Sequence, residues 1–599
     1  MLNYARFGEM ERLMESQIPD IASARTADLW WLCHAYAELK RYNKLFLCLD
    51  QMERNIAKGD RELNVSTSSL HGISVLFFST DATYYPSLWR AQALAELQDY
   101  EKAVIEAEKG VALAEASSEQ PKKHLFMTVP PRSVLEKLKG QGLSGVIHAA
   151  LGHRLEAQRL VQAVEQFETD VSMELPGAAD KKKATKAEQL GKMYMALKDY
   201  ERAYQASDYA VPWGAAFGQA IMAGAGEEGE EYATSYRVPQ KFIRAKSAYE
   251  TKRTAEAKQG YDELLKHPRI KSFGELYWLV LFDRGRIEEA SNRKGAIPYY
   301  VQAVEVIEHQ RSTINTEVNK IGFVGDKQQV YHHLISALLA EGQAAQAFEY
   351  VERAKARALV DLLASKKDFS APASEAQQVA KLIQALDAAD LEAAAAQTPE
   401  APTKDIATTP VGGQTVRSAR GVQVREQLKT AAPELATLVT VTQTNTNEIQ
   451  ALLRPGEVLL EYYYEGDDLA VFILDRTQIR GIKLPGAGLS AEIADFRKAL
   501  EETKSDRYRV ISNKLYDRLI APVGSYMTGK QVLIVPHGAL HYLPFSALCS
   551  AKDCLIDRAS LRLLPSASVL PFLKGRKQQE GGALLALGNP DLGDPKYDL

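Results

Sequence analysis

The sequence predicts an all-α solenoid of paired helices joined to an α/β domain with a central, mostly parallel sheet. Three observations carry this. Helical spacing with short breaks fills residues 1–365 and recurs at about 34 residues, a period that means stacked helix pairs. Residues 366–430 change to an Ala-, Thr-, Pro- and Gly-rich composition. From residue 431 onward, apolar β-type runs alternate with amphipathic helices, the pattern of a sheet covered by helices. The chain has 599 residues, enough for several domains at roughly 100–200 residues each.

The clearest repeat is KAEQLGKMYMALKDYERAYQASDYA. Leu190, Gly191 and Tyr194 fall on one face of a first helix, Tyr200 closes the turn, and Ala203 lies on a second helix. Gly191 and Ala203 are expected to be small because the two helices of the unit cross closely there. This spacing resembles the tetratricopeptide repeat. Other units keep part of it: Leu32, Tyr36 and Tyr42; Ala91, Tyr100 and Ala103; Ala245, Ala257 and Tyr261; Ala296, Tyr300 and Ala303; Ala347 and Ala354. Stretches 115–185 and 205–240 match the repeat poorly. MLNYARFGEMERLME reads as an amphipathic helix; it lacks the basic-then-apolar order of a signal peptide.

The segment 366–430 begins with helix-forming residues. From Gln397 to Gly421 it reads as a flexible linker. Beyond it, EVLLEYYYEG and DLAVFILDR are strands of a hairpin, and QIRGIKLP is a third strand. SAEIADFRKALEE and YRVISNKLYDRLIAPV are amphipathic helices. QVLIVP, SLRLLP and GALLALGNP are further short strands.

Composition bounds the function. A net charge of −4 argues against a chain built to hold nucleic-acid backbone, which needs a basic face; no direct DNA binding is expected. Four cysteines, Cys33, Cys48, Cys549 and Cys554, are too few for a disulfide scaffold, so a reducing, cytoplasmic compartment is the default. No apolar run reaches the length of a membrane span.

Two stretches carry a family resemblance. One is YYVQAVEVIEHQRSTINTEVNKIGFVGDKQQVYHHLI with AFEYVERAKARALVDLLA. The other is IQALLRPGEVLLEYYYEGDDLAVFILD, followed by LYDRLIAPV, VLIVPHGALHYLPFSAL and LLPSASVL. Together they resemble bacterial tetratricopeptide–CHAT proteins, in which CHAT stands for caspase HetF associated with tetratricopeptide repeats. The resemblance implies a cysteine endopeptidase of the caspase–separase kind, in which a non-catalytic half can precede the active half and helical repeats receive a regulatory signal. Some members are protease partners of RNA-guided type III-E CRISPR effectors and others accompany bacterial gasdermins, so the partner expected for the solenoid groove is a protein or ribonucleoprotein of this kind. Residues 431–599 are then the front, pseudo-protease part of the CHAT domain.

Such chemistry needs a Cys thiolate and a His to activate it. His537, after the QVLIVP strand, fits the first half superficially. Cys549 and Cys554 follow too soon for a crossover helix and a second strand to intervene, and Pro544 interrupts the segment. His537, Cys549 and Cys554 are therefore weak catalytic candidates, and VPHGALHYLPF reads as a strand-to-loop packing element. The same residues with His541 could be imagined as zinc ligands, but Gly538 and Pro544 disfavour the helix that His-x3-His spacing wants. No metal and no cofactor are expected. His71–Gly72 lies in the helical half with no sheet around it. GAGEEG, with Gly224, Gly226 and Gly229, satisfies G-x-G-x-x-G literally, but Glu227 and Glu228 would repel phosphate. Lys181–Lys183 and the acidic stretch beside Gly229 read as solvated loops; a contact of the lysines with an acidic partner or RNA is the minority reading. Trp30, Trp31 and Tyr36 read as core.

GALLALGNPDLGDPKYDL starts a strand without a return helix, so the reading expects the catalytic pair beyond Leu599. Two functions follow: a partner-regulated caspase-like cysteine endopeptidase whose dyad is not in these residues, or a non-catalytic repeat scaffold with a pseudo-caspase domain.

Overall fold

The computed structural model describes residues 7–18, 20–65, 78–124, 127–129, 131–169, 178–210, 234–312, 327–365, 446–502, 506–527 and 531–570. The linker 366–430, His71–Gly72, the GAGEEG segment and the GALLALGNP strand lie outside them. The chain divides into two compact units, Met1–Pro433 and Glu434–Leu599.

The first unit is a stack of helix pairs. After α1 (Phe7–Gln17) come α2 (Thr26–Glu38) with α3 (Tyr42–Ala57), α4 (Tyr85–Glu96) with α5 (Tyr100–Glu115), α6 (Arg132–Ala150) with α7 (Arg154–Glu165), and α8 (Ala178–Ala196) with α9 (Tyr200–Ala206). Three more pairs follow: Thr234–Glu250 with Thr254–Lys266, Gly274–Glu289 with Arg293–Ser312, and Gln328–Ala340 with Ala344–Ser365. No helix among the described residues is long and apolar enough to cross a membrane.

Six of these pairs turn by one device. Lys40, Gln98, Gly152, Lys198, Lys252 and Gly342 sit just past the first helix with φ of 60°, 60°, 78°, 62°, 67° and 73°. The next residue's N–H then reaches back to a carbonyl of the helix: Arg41 to Tyr36 at 2.8 Å, Asp99 to Leu94 at 2.9 Å, His153 to His148 at 2.9 Å, Asp199 to Tyr194 at 2.8 Å, Arg253 to Ala248 at 2.8 Å and Gln343 to Leu338 at 2.9 Å. This is the Schellman closure, which satisfies carbonyls left open at a helix end. Four of the six left-handed positions carry Lys or Gln, residues that occupy it at a steric cost.

The pairs bury most of the positions that the repeat pattern selects, while Tyr100, Leu190, Tyr200 and Ala354 are only partly buried. Tyr36, Tyr42, Ala91, Ala103, Ala203, Ala245, Ala257, Tyr261, Ala296, Tyr300, Ala303 and Ala347 are all core residues. Three expectations are corrected. The spacing between successive pairs exceeds the expected period, and in the first two intervals the hairpins β1 (Glu62–Val65) with β2 (Phe78–Asp81) and β3 (Lys122–His124) with β4 (Met127–Val129) are inserted. Gly191 faces the next pair rather than its own partner helix: a Cβ there would stand 3.1 Å from Ile243 Cγ2. Lys181–Lys183 lie within α8, with Lys182 buried. The pair α6–α7 falls in a stretch the repeat pattern matches poorly. Glycines weaken helix propensity in α6, yet Gly142 and Gly145 are where Gln189 and Met193 of α8 press in; an added Cβ at Gly142 would lie 2.7 Å from Gln189 Cβ.

The second unit is built on a five-stranded sheet in the order β7–β6–β5–β8–β9. β5 (Glu457–Glu465) and β6 (Asp468–Leu474) form the expected hairpin, turning through Gly466 at φ 58°. β7 (Ile479–Pro485) extends it, again antiparallel. The chain then passes through helices Leu489–Glu501 and Arg507–Leu519 before β8 (Gln531–Val535) pairs parallel to β5, and β9 (Leu561–Leu563) parallel to β8. The sheet is thus mixed, antiparallel on the hairpin side and parallel on the crossover side.

β5 is buried along nearly its whole length, as a central strand should be. Val458, Leu460, Tyr462 and Tyr464 share a core with Val532 and Ile534 of β8, and with Leu489, Ile493, Phe496, Leu515 and Leu519 of the helices. Burying each large side chain contributes about 1.5–3 kcal/mol. Tyr462 also donates its hydroxyl to the Leu519 carbonyl at 2.9 Å, satisfying a group left open at the helix end.

Candidate functional site at the strand ends

In a parallel α/β layer, chemistry gathers beyond the carboxyl ends of the strands. Here that position is taken by the segment following β8. After Val535 the chain makes two short 3-10 turns, Gly538–Tyr542 and Phe545–Ala547. Gly538 holds φ 55°, a left-handed conformation that favours glycine. The apolar residues of the segment point inward: Leu540, Leu543, Phe545 and Leu548 all belong to the core under the sheet. The packing explains the residue pattern of VPHGALHYLPFSAL without reference to catalysis.

His537 is held by the neighbouring strand. Its ring stacks on Tyr463 with centroids 5.0 Å apart and planes 18° apart. Its Nδ1 lies 3.1 Å from the Tyr464 amide nitrogen and 2.9 Å from the Tyr464 carbonyl oxygen. Unprotonated, Nδ1 accepts from the first; protonated, it donates to the second. Either way the imidazole ties the end of β8 to β5.

The cysteines are brought to each other, not to His537. Cys549 and Cys554 form an isolated antiparallel bridge with Cα atoms 3.8 Å apart, and their sulfurs are bonded. Cys33 and Cys48, on α2 and α3, are likewise bonded, with Cα atoms 5.9 Å apart. No cysteine is free. A bonded sulfur is not a thiolate nucleophile. Among the described residues no group of three or more His, Cys, Asp or Glu is arranged to hold a metal ion, and His541 sits in the first 3-10 turn. The two cysteine pairs lend no support to the reducing compartment inferred from low cysteine number.

Side chains that the sequence reading passed over fix this loop. Ser512, fully buried on helix Arg507–Leu519, donates to the Ala547 carbonyl at 2.7 Å and accepts from the Cys549 amide at 2.7 Å. Arg558 donates to Tyr516 Oη at 2.8 Å and pairs with Asp553. That pairing holds the Asp553 carboxyl below its usual range. A lone Ser on the apolar face of an amphipathic helix was the available signal for Ser512. These contacts do structural work: they close the loop over the core and leave no nucleophile–base pair.

Comparison with known proteins adds one specific match. The family model of the CHAT domain matches residues 509–596, which include most of helix Arg507–Leu519, β8, the loop just described and β9. No curated protein matches the chain. Among solved structures, the Saccharomyces cerevisiae separase in its complex with securin aligns with 11% identity and a TM-score of 0.30, over 87% of this chain and 38% of that one. This chain therefore spans well under half the length of that separase chain. A likeness so shallow carries no argument. On this segment match, residues 509–596 of the second unit are similar to a CHAT domain.

Proposed function

We propose that this chain is the regulatory and scaffolding part of a partner-regulated caspase-like cysteine endopeptidase. The helical stack binds a protein or ribonucleoprotein partner, and the catalytic pair is supplied by none of the chain's own cysteines. The observation that carries this is the CHAT match over residues 509–596 in a chain whose four cysteines are all bonded in pairs. A stack of helix pairs offers one extended face built from successive first helices, the kind of surface on which repeat proteins seat partners. Partner binding would act by favouring one arrangement of the protein over another, which requires different affinity for the two.

The test is proteolysis by the 599-residue chain, with and without candidate partners, followed by mass spectrometry of the partner and of added unfolded protein. The proposal expects partner binding without thiol-dependent cleavage. Cleavage that disappears in Cys549→Ser or Cys554→Ser, with folding intact, would refute it.

A further inference from the structure

The helical stack carries a cluster that the repeat pattern does not require. Trp30 and His34 come from α2, Tyr85 and Trp89 from α4, Arg132, Glu136 and Lys139 from α6, and Lys181 from α8. All four elements are first helices of successive pairs, so these residues share one face of the stack. Their rings touch: Trp30 meets His34 at 5.7 Å, Tyr85 at 5.6 Å and Trp89 at 6.0 Å between centroids. The Arg132 guanidinium stands 5.2 Å over the Trp30 ring.

The charges beside this aromatic wall do not balance. Glu136 is buried, and it already pairs with Lys139 at 2.9 Å and Arg132 at 4.0 Å. Glu119, the other nearby carboxylate, accepts from the Asp81 and Ser133 amides and from the Tyr84 hydroxyl. Lys181 makes no ion pair with a described residue, and the cations that act on its ammonium are Arg132 and Lys139. It keeps solvent contact, yet crowding by protein and these two cations push its ammonium down to about 8. Burial and the same cations push His34 down to about 4, so it adds no positive charge at neutral pH. Two buried donors in the wall, Trp30 Nε1 and Tyr85 Oη, have no hydrogen-bond acceptor. The rings of Trp30, Tyr85 and Trp89 are buried, so the part of the cluster open to a ligand is its cations, Arg132 half-buried and Lys139 and Lys181 exposed, with one shared carboxylate among them.

We infer that Arg132, Lys139 and Lys181, standing over the buried Trp30–Tyr85–Trp89 cluster, bind an acidic segment of a protein partner through one of its carboxylates. A carboxylate suits the site better than a nucleic acid does. Arg132 and Lys139 converge on the buried Glu136, with Lys181 within their electrostatic reach, whereas a phosphate backbone calls for a track of cations. The assignment rests on the helical stack being the partner-binding element.

The experiment is a titration of the full chain with an end-capped oligoglutamate peptide at low salt, read by tryptophan fluorescence. Two of the chain's five tryptophans form the wall. Saturable binding is expected, weakened at least about tenfold by Lys181→Glu, retained by Lys181→Arg, and unchanged by Lys498→Glu in the second unit. Circular dichroism checks that each variant is folded. No saturable binding, or equal loss in Lys498→Glu, overturns the proposal. Binding of an oligoribonucleotide in place of the peptide, with the same sensitivity to Lys181→Glu, also overturns it. Because no cleavage is read, failure here with a partner still bound elsewhere sinks only the carboxylate site. Failure of every partner to bind sinks the regulatory reading itself.

Discussion

Replacing His537 separates a structural histidine from a catalytic one. In His537→Ala the stack on Tyr463 is lost, worth about 0.5–1.5 kcal/mol for an aromatic pair beyond its area. The hydrogen bond to the Tyr464 backbone is lost as well, worth about 0.5–1.5 kcal/mol net. Together the second unit should lose about 1–3 kcal/mol. His537→Phe keeps the stack and should lose about half as much. All five tryptophans precede residue 300, so their fluorescence does not report on this unit. Amide hydrogen exchange does, because core strands exchange through opening of their cooperative unit. Peptides covering Glu457–Glu465 and Gln531–Val535 should exchange roughly 5- to 150-fold faster in His537→Ala, at about 1.4 kcal/mol per factor of ten. Peptides of the helical stack should not change. Unchanged exchange in β5 and β8 would refute the clamp. So would a change in cleavage with stability intact.

Two other perturbations test the helical stack. Gln98 holds φ 60° in a turn that favours glycine, so Gln98→Gly should stabilise the stack by about 0.5–1 kcal/mol, read as a higher urea midpoint; a loss would mean the left-handed turn is wrong. His34 has its imidazole lowered to about 4 by burial and by Lys139 and Arg132. The unfolded state therefore binds more protons between about pH 6.5 and 4, and stability falls as pH falls through that window. The loss is of order 1–3 kcal/mol for a part-buried ring, and His34→Gln should flatten that slope in urea titrations; an unchanged slope would place the titrating group elsewhere.

Much of the second unit was legible because its signals are local. The β5–β6 hairpin shows as two apolar runs around Gly466, and the core residues of VPHGALHYLPFSAL are apolar in sequence. The fate of His537 was half legible: spacing argued against pairing with Cys549 and Cys554, but the stack on Tyr463 depends on β5 and β8 lying side by side, a contact no local pattern records. The same limit explains Gly191, whose neighbour Ile243 belongs to the next pair. It also explains α6, whose glycines look like helix breakers until α8 packs on them. Lys181–Lys183 read as a loop because three charges in a row suggest solvent; they lie in α8 instead, which buries Lys182 and leaves Lys181 and Lys183 exposed. The joining of Cys33 to Cys48 depends on how α2 and α3 cross, which periodicity leaves open.

The central claim is that none of this chain's cysteines is a catalytic nucleophile. The most direct measurement is thiol chemistry on the intact 599-residue chain: titration of free thiols under native conditions, paired with iodoacetamide-sensitive cleavage of an unfolded protein substrate in the presence of a bound partner. The account predicts no titratable thiol before reduction, because Cys33 is bonded to Cys48 and Cys549 to Cys554, and no cleavage that iodoacetamide blocks. One reactive thiol mapping to Cys549 or Cys554, with cleavage that His537→Ala abolishes while the β5 and β8 amides stay protected, would contradict it.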